Sequence, residues 1–403
     1  MPPRVLVVYN GYAPNDPDAV YSAQSVNDMG YTVHLVGTAR QNKEPIPTSQ
    51  QIGSIRVTIL PFQRRLSLQW VWRWLLASLP PTVQPTDNSV STFISIILFN
   101  LWVLRVGLRE RYTVVHCHDL APLPACWLLG RLQRGRVIYH AREDFPTRYR
   151  GRKAAVVERL ERWLAPRADA VISAGIRLKA VLEARGARDV VHIGNWKRLE
   201  DYDVSASSIQ AKRQAHSIRD DEIVIVYIGT LEPTRELLPL LDAVARRPDV
   251  RLLIGGRGTM QDAVQARAQQ HPNITWLGWV PLAEVPVYTL LADALYCVLA
   301  KGEYTHENER CPAANKLYES YAAGIPLIAR HDINEMADEL RTNGAGILVD
   351  DASFASLSAA FDLLRDRELI SRIRQRALAE AQKYNWAEAE KRLAQIYQRL
   401  AKR

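Results

Sequence analysis

The sequence predicts an α/β protein built from two Rossmann-like, doubly wound parallel-sheet domains. Three observations predict it. The chain has 403 residues, and at about 150 residues per domain that suits two or three domains, each with its own core. Short, near-continuous apolar runs recur along it, as expected of strands buried on both faces. Helical patterns separate those runs, which is the rhythm of a parallel sheet. Hydrophobic residues make up 47% and charged residues 24%, close to ordinary globular usage. Bulk disorder, a collagen-like repeat and a small disulfide scaffold are excluded.

The strands of the first domain are expected at residues 5–9 (VLVVY), 33–36, 55–60, 113–116 (TVVH), 136–139 and 170–173. Helical stretches lie between several of them, at 19–29 and 156–164 for example. A polar region at 195–217, without apolar period, reads as the join. The rhythm restarts at 223–228 (IVIVYI), with a helix near 237–246, and continues through 251–254, 274–277, 294–299 and 326–329. The segment 386–400 (WAEAEKRLAQIYQRL) places Trp386, Ala389, Leu393, Ile396 and Leu400 on one face of a helix. The expected organisation is residues 1–200, residues 201–383, and a closing helix over 384–403 that packs back toward the first domain. Two such domains in tandem leave a cleft, and ligands in these sheets bind at the carboxyl ends of strands.

One stretch breaks the rhythm. Residues 62–79 read FQRRLSLQWVWRWLLASL, with Trp70, Trp72 and Trp74 beside Arg64, Arg65 and Arg73. Tryptophans at every second position do not make a one-sided helix stripe. Interfacial insertion is the reading: rings at headgroup level and arginines on anionic phosphates. The run at 93–106 (FISIILFNLWVLRV) is shorter than the ~20 residues that span a bilayer. It leads toward a core strand and is expected to be an ordinary helix packed on the first domain.

The net charge of +9 is unevenly placed. Residues 1–200 carry 27 Lys and Arg against 15 Asp and Glu, while the remainder carries 25 against 28. A basic half points to an anionic partner: nucleic acid, a membrane face or a phosphorylated substrate. No nucleic-acid module is recognisable. Cys117, Cys126, Cys297 and Cys311 form no C-x-x-C pair, so a reducing cytoplasm is expected, and the N-terminus shows no signal-peptide pattern.

Five motifs stand at the carboxyl ends of predicted strands. In NKLYESYAAGIPLIA, Asn315, Lys316 and Glu319 lie at the start of a helix, where an anion meets free N–H groups and the positive dipole end. Gly229-Thr230-Leu231 follows a strand and precedes Arg235, a phosphate-side arrangement. Gly255-Gly256-Arg257-Gly258 follows another but is not a full dinucleotide fingerprint. In His116-Cys117-His118-Asp119, alternation puts both histidines on one side. No second ligand cluster accompanies them, so zinc is discounted in favour of a hydrogen-bonding histidine. The fifth motif is Arg142-Glu143-Asp144.

In this order, from Val5 to the closing helix, the motifs resemble the GT-B fold of glycosyltransferase family 4. The matching segments include VVHCHDLAPLPA, VIYHAREDFP, ERWLAPRADAVISAG, VYIGTL, LLIGGRG and NITWLGWVP. The resemblance implies transfer of a sugar from a nucleotide-sugar donor, usually with retention, needing no cofactor and no obligatory metal. It implies that Arg235 and Lys316 neutralise the diphosphate, that Glu319 holds the ribose, and that Gly256 and Gly258 admit the nucleotide to the backbone. His118 would stand near the donor sugar and Glu143 on the acceptor side. The family commonly has a second glutamate eight positions before Glu319; here Cys311 stands there. Glu307 and Glu309 are the neighbouring acids. Arg142 replaces a common histidine, and Asn15-Asp16-Pro17 a common glycine pair.

The basic half and the Trp/Arg segment suit a lipid-linked or glycan acceptor at an anionic membrane surface, the enzyme being peripheral at the inner face of the cell membrane. The alternative is a catalytically impaired nucleotide-sugar-binding or scaffold protein, for which Cys311 is the support. A sugar-nucleotide epimerase is a further enzymatic rival.

Overall fold

The structure, a computed structural model, describes residues 2–39, 48–61, 89–301, 315–332 and 334–402. The segment with Arg64, Arg65, Trp70, Trp72, Arg73 and Trp74, and the loop with Glu307, Glu309 and Cys311, lie outside the described residues. The chain divides into two compact units. The first is Met1–Ser173, Lys179–His192 and Arg392–Arg403; the second is Ala174–Leu178 and Ile193–Lys391.

The first unit holds strands β1 (Arg4–Tyr9), β2 (Thr32–Ala39), β3 (Ser49–Ile52), β4 (Ile55–Pro61), β5 (Val114–His118), β6 (Arg136–Ala141), β7 (Ala170–Ser173) and β8 (Val191–His192). They form one sheet in the order β3-β4-β2-β1-β5-β6-β7-β8. Pairing is parallel except between β3 and β4. The hairpin turn at Gly53 and the edge strand β3 were not foreseen, because SQQI has no apolar alternation to announce it. Val5, Leu6, Val7 and Val8 are all fully buried, so neither face of β1 meets solvent. Helices α1 (Pro17–Asp28), α2 (Ser89–Gly107), α3 (Leu123–Gln133) and α4 (Gly151–Leu164) belong to this unit, and α5 (Ile176–Ala184) follows β7. Asp16 caps α1 by accepting from the Ala19 amide at 2.9 Å. The run expected to be an ordinary helix is α2: it packs Phe99, Val103 and Val106 inward yet leaves Ile97, Leu98 and Leu101 exposed.

Part of the predicted linker is helical. Ser205 caps α6 (Ala206–Ala215), which buries no residue; apolar periodicity therefore gave no signal for it. The second sheet contains β9 (Ile223–Thr230), β10 (Val250–Arg257), β11 (Ile274–Gly278), β12 (Ala294–Cys297), β13 (Leu327–Arg330) and β14 (Gly346–Val349). Their order is β11-β10-β9-β12-β13-β14, all parallel. Helices α7 (Leu237–Ala245), α8 (Gln261–Ala268), α9 (Val285–Leu290), α10 (Asn315–Ala323), α11 (Asn334–Asn343), α12 (Phe354–Leu363) and α13 (Arg367–Lys383) accompany it. The last helix, α14 (Trp386–Ala401), begins in the second unit and ends in the first. Its stripe of Trp386, Ala389, Leu393, Ile396 and Leu400 is buried as the periodicity requires.

Within the first unit, an ion cluster braces the loop after β6. Arg185 Nη1 donates to Asp144 and to Glu161 at 2.6 Å each, and the Tyr139 hydroxyl donates to Glu161 at 2.6 Å. All four side chains are buried, so each charge depends on its partners.

Gly256 is the backbone position under the tightest constraint. Its φ is +141°, and a Cβ there would lie 1.8 Å from the Gly229 carbonyl oxygen. Gly53 has φ +57° but open space around it. Gly256→Ala should therefore destabilise the protein by at least about 2 kcal/mol, and Gly53→Ala by about 1 kcal/mol. Urea midpoints measured on both variants check this; equal losses contradict it.

Candidate active site

In the first unit the relevant side chains stand on the carboxyl ends of three neighbouring strands, β1, β5 and β6. Parallel register pairs Tyr9 with His118, and His118 with His140. The strand-end row is thus Tyr9, His118, His140. His116 and His118 share a side, as alternation predicts. Their rings stack at 4.8 Å with planes 7° apart, and the His140 ring lies 4.7 Å from His118. All three are buried.

Burial disfavours the imidazolium, and His118 is further lowered by His140, His116 and Arg142, so it stays neutral. His116 is lowered to about 3 by desolvation. Its Nδ1 meets the Tyr397 hydroxyl at 3.1 Å. Neither ring nitrogen of His118 has a hydrogen-bond partner among the described residues. The ligating atoms of the three histidines all lie within 4.8 Å of one another. The His116 and His118 ring planes are almost parallel.

Beside this row is a buried ionic knot. Arg142 Nη1 donates to Asp16 at 2.7 Å, and Nη2 pairs with Asp18 at 3.2 Å. Its guanidinium also lies 5.2 Å from the Tyr9 ring centre. Asp119 follows His118 at φ +69°. It accepts from the Arg142 amide at 3.3 Å. Burial pushes the Asp119 carboxyl up to about 7, against the downward pull of Arg142, and Glu143 adds to the rise. Glu143 is half-buried and paired with Arg148 at 2.6 Å. Arg142 thus joins Asp16, in the loop after β1, to Asp18, in the first turn of α1.

In the second unit the carboxyl ends of β10, β9 and β12 lie side by side. Gly229 and Thr230 end β9 and pair with Gly256 and Arg257. A Cβ on Gly258 would stand 2.2 Å from the Leu231 carbonyl oxygen. Gly256 and Gly258 are therefore required first for packing one loop on the other. The Leu231 amide donates to Arg257 O at 2.9 Å, and the Thr259 amide donates to Glu232 at 3.1 Å, completing that seam.

Arg235 ends a short turn held against the segment after β12 by the Ala300 amide donating to Thr234 O at 3.0 Å. Cys297, the last residue of β12, feels Arg235 and Lys316 lowering its thiol and Glu319 raising it, under a larger upward push from burial. Arg235, Lys316 and Glu319 thus all lie within electrostatic reach of the thiol that ends β12, although Lys316 is far from Arg235 in sequence. Lys316 donates to Glu319 at 2.5 Å, and both are buried. The Asn315 side chain accepts from Lys197 Nζ at 2.7 Å.

Sequence reasoning missed Lys197, Asp119, Tyr9, His140 and the carboxylates of Asp16 and Asp18. Asp119 had a signal, since it directly follows His118. Lys197 had none: it lies in the stretch read as a join.

Residues 19–196 match the family described as glycosyl transferase 4-like domain, and residues 208–383 match glycosyl transferases group 1. The EpsD protein of Bacillus subtilis (strain 168), named as a glycosyltransferase, is 25% identical over 305 residues, covering 71% of this chain and 76% of its own. Two solved structures share the fold over nearly the full length. Anabaena HepE, in complex with UDP and glucose, has a TM-score of 0.66 at 17% identity, covering 99% of this chain and 98% of its own. Sucrose-phosphate synthase of Thermosynechococcus elongatus has a TM-score of 0.68 at 16% identity, covering 99% of each chain. Two parallel-sheet units, each matched by its own half of the family and carrying polar clusters at its strand ends, make this chain a member of the group 1, 4-like glycosyltransferases with the GT-B fold.

Proposed function

We propose that the enzyme moves a sugar, with retention, from a nucleotide-sugar donor to a lipid-linked or other membrane-associated acceptor during glycan, polysaccharide or glycolipid synthesis. The observation that most supports this reading is the convergence of Arg235, Lys316 and Glu319 at the end of β12. Two cations at one strand end suit a diphosphate leaving group, whose charge grows as the glycosidic bond breaks. No obligatory metal is required when side-chain cations meet that charge.

Lys316 and Glu319 hold each other in the unliganded chain. A diphosphate competes for Lys316, and Glu319 is then released to accept from the two ribose hydroxyls. Donor binding in this reading is an exchange of partners, which gives Lys316 a new anion and leaves Glu319 hydrogen-bonded. Lys197 fixes Asn315 at the start of α10, and so steadies the turn that presents Lys316. In the first unit, His118 is a residue to which the family resemblance gives a role. As a neutral imidazole it donates from one nitrogen and accepts at the other, which suits a sugar hydroxyl. Glu143 serves the acceptor. Because HepE is described in complex with UDP, a UDP-sugar is the first donor to test.

The alternative, a binding or scaffold protein that has lost catalysis, rests on Cys311 in place of the family's first glutamate. One assay separates the two. Across a panel of UDP-, GDP- and ADP-sugars, at least one donor should raise the melting temperature and be turned over. Lys316→Ala should lower kcat/KM for that donor by about 100-fold or more, and Glu319→Ala should act mainly through weaker donor binding. A donor that binds without turnover in any acceptor mixture assigns the chain to the alternative.

The neutral histidines predict a pH dependence. His34 is lowered to about 4 and His116 to about 3, with His118 also depressed, from an unfolded value of about 6.5. The unfolded chain binds protons first on acidification. The stability these rings contribute is complete above about pH 6.5 and declines as pH falls toward the folded values. Buried carboxyls raised toward 7, Asp119 and Glu339 among them, act in the opposite direction over the same range, so the comparison with a variant isolates the ring: the melting temperature of wild type relative to His118→Asn should fall from pH 7 to 4.5. A difference that stays flat or rises contradicts a neutral His118.

A further inference from the structure

We infer that the outer face of α2, α3 and α4 in the first unit is the surface that seats the enzyme on an anionic lipid bilayer. The inference deepens the membrane-acceptor reading above and rests on it.

These three helices are laterally joined. The Ala125 amide of α3 donates to Asn100 of α2 at 2.9 Å. A Cβ on Gly107 of α2 would strike Leu129 of α3 at 2.3 Å, so the two backbones approach closely. Trp127 of α3 and Trp163 of α4 meet edge to face at 5.0 Å. Each helix has its buried stripe: Phe99 and Val103, Ala125 and Leu129, Glu161 and Leu164. A surface helix ordinarily turns polar residues to the opposite side. Here the opposite side exposes large apolar side chains among its cations.

Leu101 is 58% exposed, Leu132 60%, Val156 61% and Trp163 45%, with Leu128 and Leu160 also exposed. Val156, Leu160 and Trp163 follow at four and three residues, as do Leu128 and Leu132 at four, so these are outward helical stripes and not scattered positions. An apolar face spread over adjoining helices marks an interaction site.

The charge on the same helices selects the occupant. Arg105, Arg131, Arg152, Lys153 and Arg159 are exposed. The acids of these helices are Glu158, which pairs with Arg162 at 2.9 Å, and Glu161, which is buried on Arg185. The arginines also lie against the aromatic rings: Arg131 over Trp127 at 5.9 Å and Arg167 over Trp163 at 4.6 Å. Apolar side chains ringed by cations, with aromatic rings among them, match the boundary between acyl chains and anionic headgroups. The complementary charge lies on the lipid. A second copy of this face would oppose cations to cations. Among the described residues no helix is long and apolar enough to cross a membrane, so the attachment is to one leaflet.

The test is flotation of the full chain with vesicles of phosphatidylcholine alone or with phosphatidylglycerol added. Wild type should bind the anionic vesicles at least about tenfold better than the neutral ones. Leu132→Glu with Leu160→Glu should lower that binding by about tenfold or more, as should Arg152→Glu with Arg159→Glu. Leu378→Glu, an equally exposed position on α13, should leave it unchanged. These positions are exposed, so unchanged melting curves are expected and confirm folding. Donor-induced thermal shifts on the same variants keep the surface separate from the donor site. Equal binding to both vesicles, no binding to either, or variants that bind like wild type overturn the inference. So does a lipid-free dimer that Leu132→Glu with Leu160→Glu dissolves. If the donor shift persists through such a failure, only the surface assignment falls.

Discussion

A parallel sheet covered on both faces leaves chemistry almost nowhere to go except its strand ends. Both units obey that constraint. Val5 to Val8 are buried on each side of β1, so the first polar groups along that line are Tyr9 and the turn carrying Asp16. In the second unit, β9 is buried until Gly229 and Thr230. In the proposed mechanism His118 and Glu143 belong to strand ends of the first unit, and Arg235, Lys316 and Glu319 lie on a turn and a helix within electrostatic reach of a strand end of the second. At such strand ends Asp119 has φ +69°, Gly256 has φ +141° and titratable groups crowd together.

Crowding charges in a low-dielectric edge is costly unless each is paired. The first unit solves this permanently. Arg142 is shared between Asp16 and Asp18, and Asp119 is left with too little positive charge, so burial drives it toward neutrality. The second unit solves it provisionally. Lys316 and Glu319 neutralise each other across one helical turn, and each has a complementary group on a nucleotide diphosphate. A permanent knot fixes loop geometry. A provisional pair leaves a cation to be claimed by a ligand. That contrast is physical support for the proposal that the donor binds the second unit, and it does not depend on which half of a family that unit matches.

The strands that carry the site were legible because their apolar runs are nearly unbroken, and the residues at or just beyond their carboxyl ends, His118, Glu143, Gly229 and Gly256, could be located from sequence. Short edge strands were not legible. β3 has one apolar residue in four and β8 is two residues long. Helix α6 buries nothing, so no periodicity could reveal it. Partnerships were harder still. His140 joins His116 and His118 through strand register, and Lys197 reaches Asn315 across 118 residues; spacing along the chain encodes neither. Gly256 and Gly258 were assigned by likeness to nucleotide approach, yet their missing side chains already make room for the backbone at Gly229 and Leu231. A glycine that both jobs require looks the same in sequence as one that serves either.

The uneven charge along the sequence has a structural resolution. The basic excess of the first half is not consumed at its strand-end cluster, where Arg142 is already balanced by two carboxylates. Much of it lies on the outer helices, where exposed cations outnumber acids and the acids are internally paired. The second half carries a slight acidic excess, yet it is the half expected to hold the doubly charged diphosphate. Global charge and local charge therefore do different work here. A ligand gripped at a strand end needs two or three correctly placed cations, whatever the sign of the surrounding domain. A lipid surface, being extended and bearing charge throughout, responds to the summed field of a whole face. The distribution of arginine in this chain follows that division, with few at the reaction edge and many on the helices that face outward.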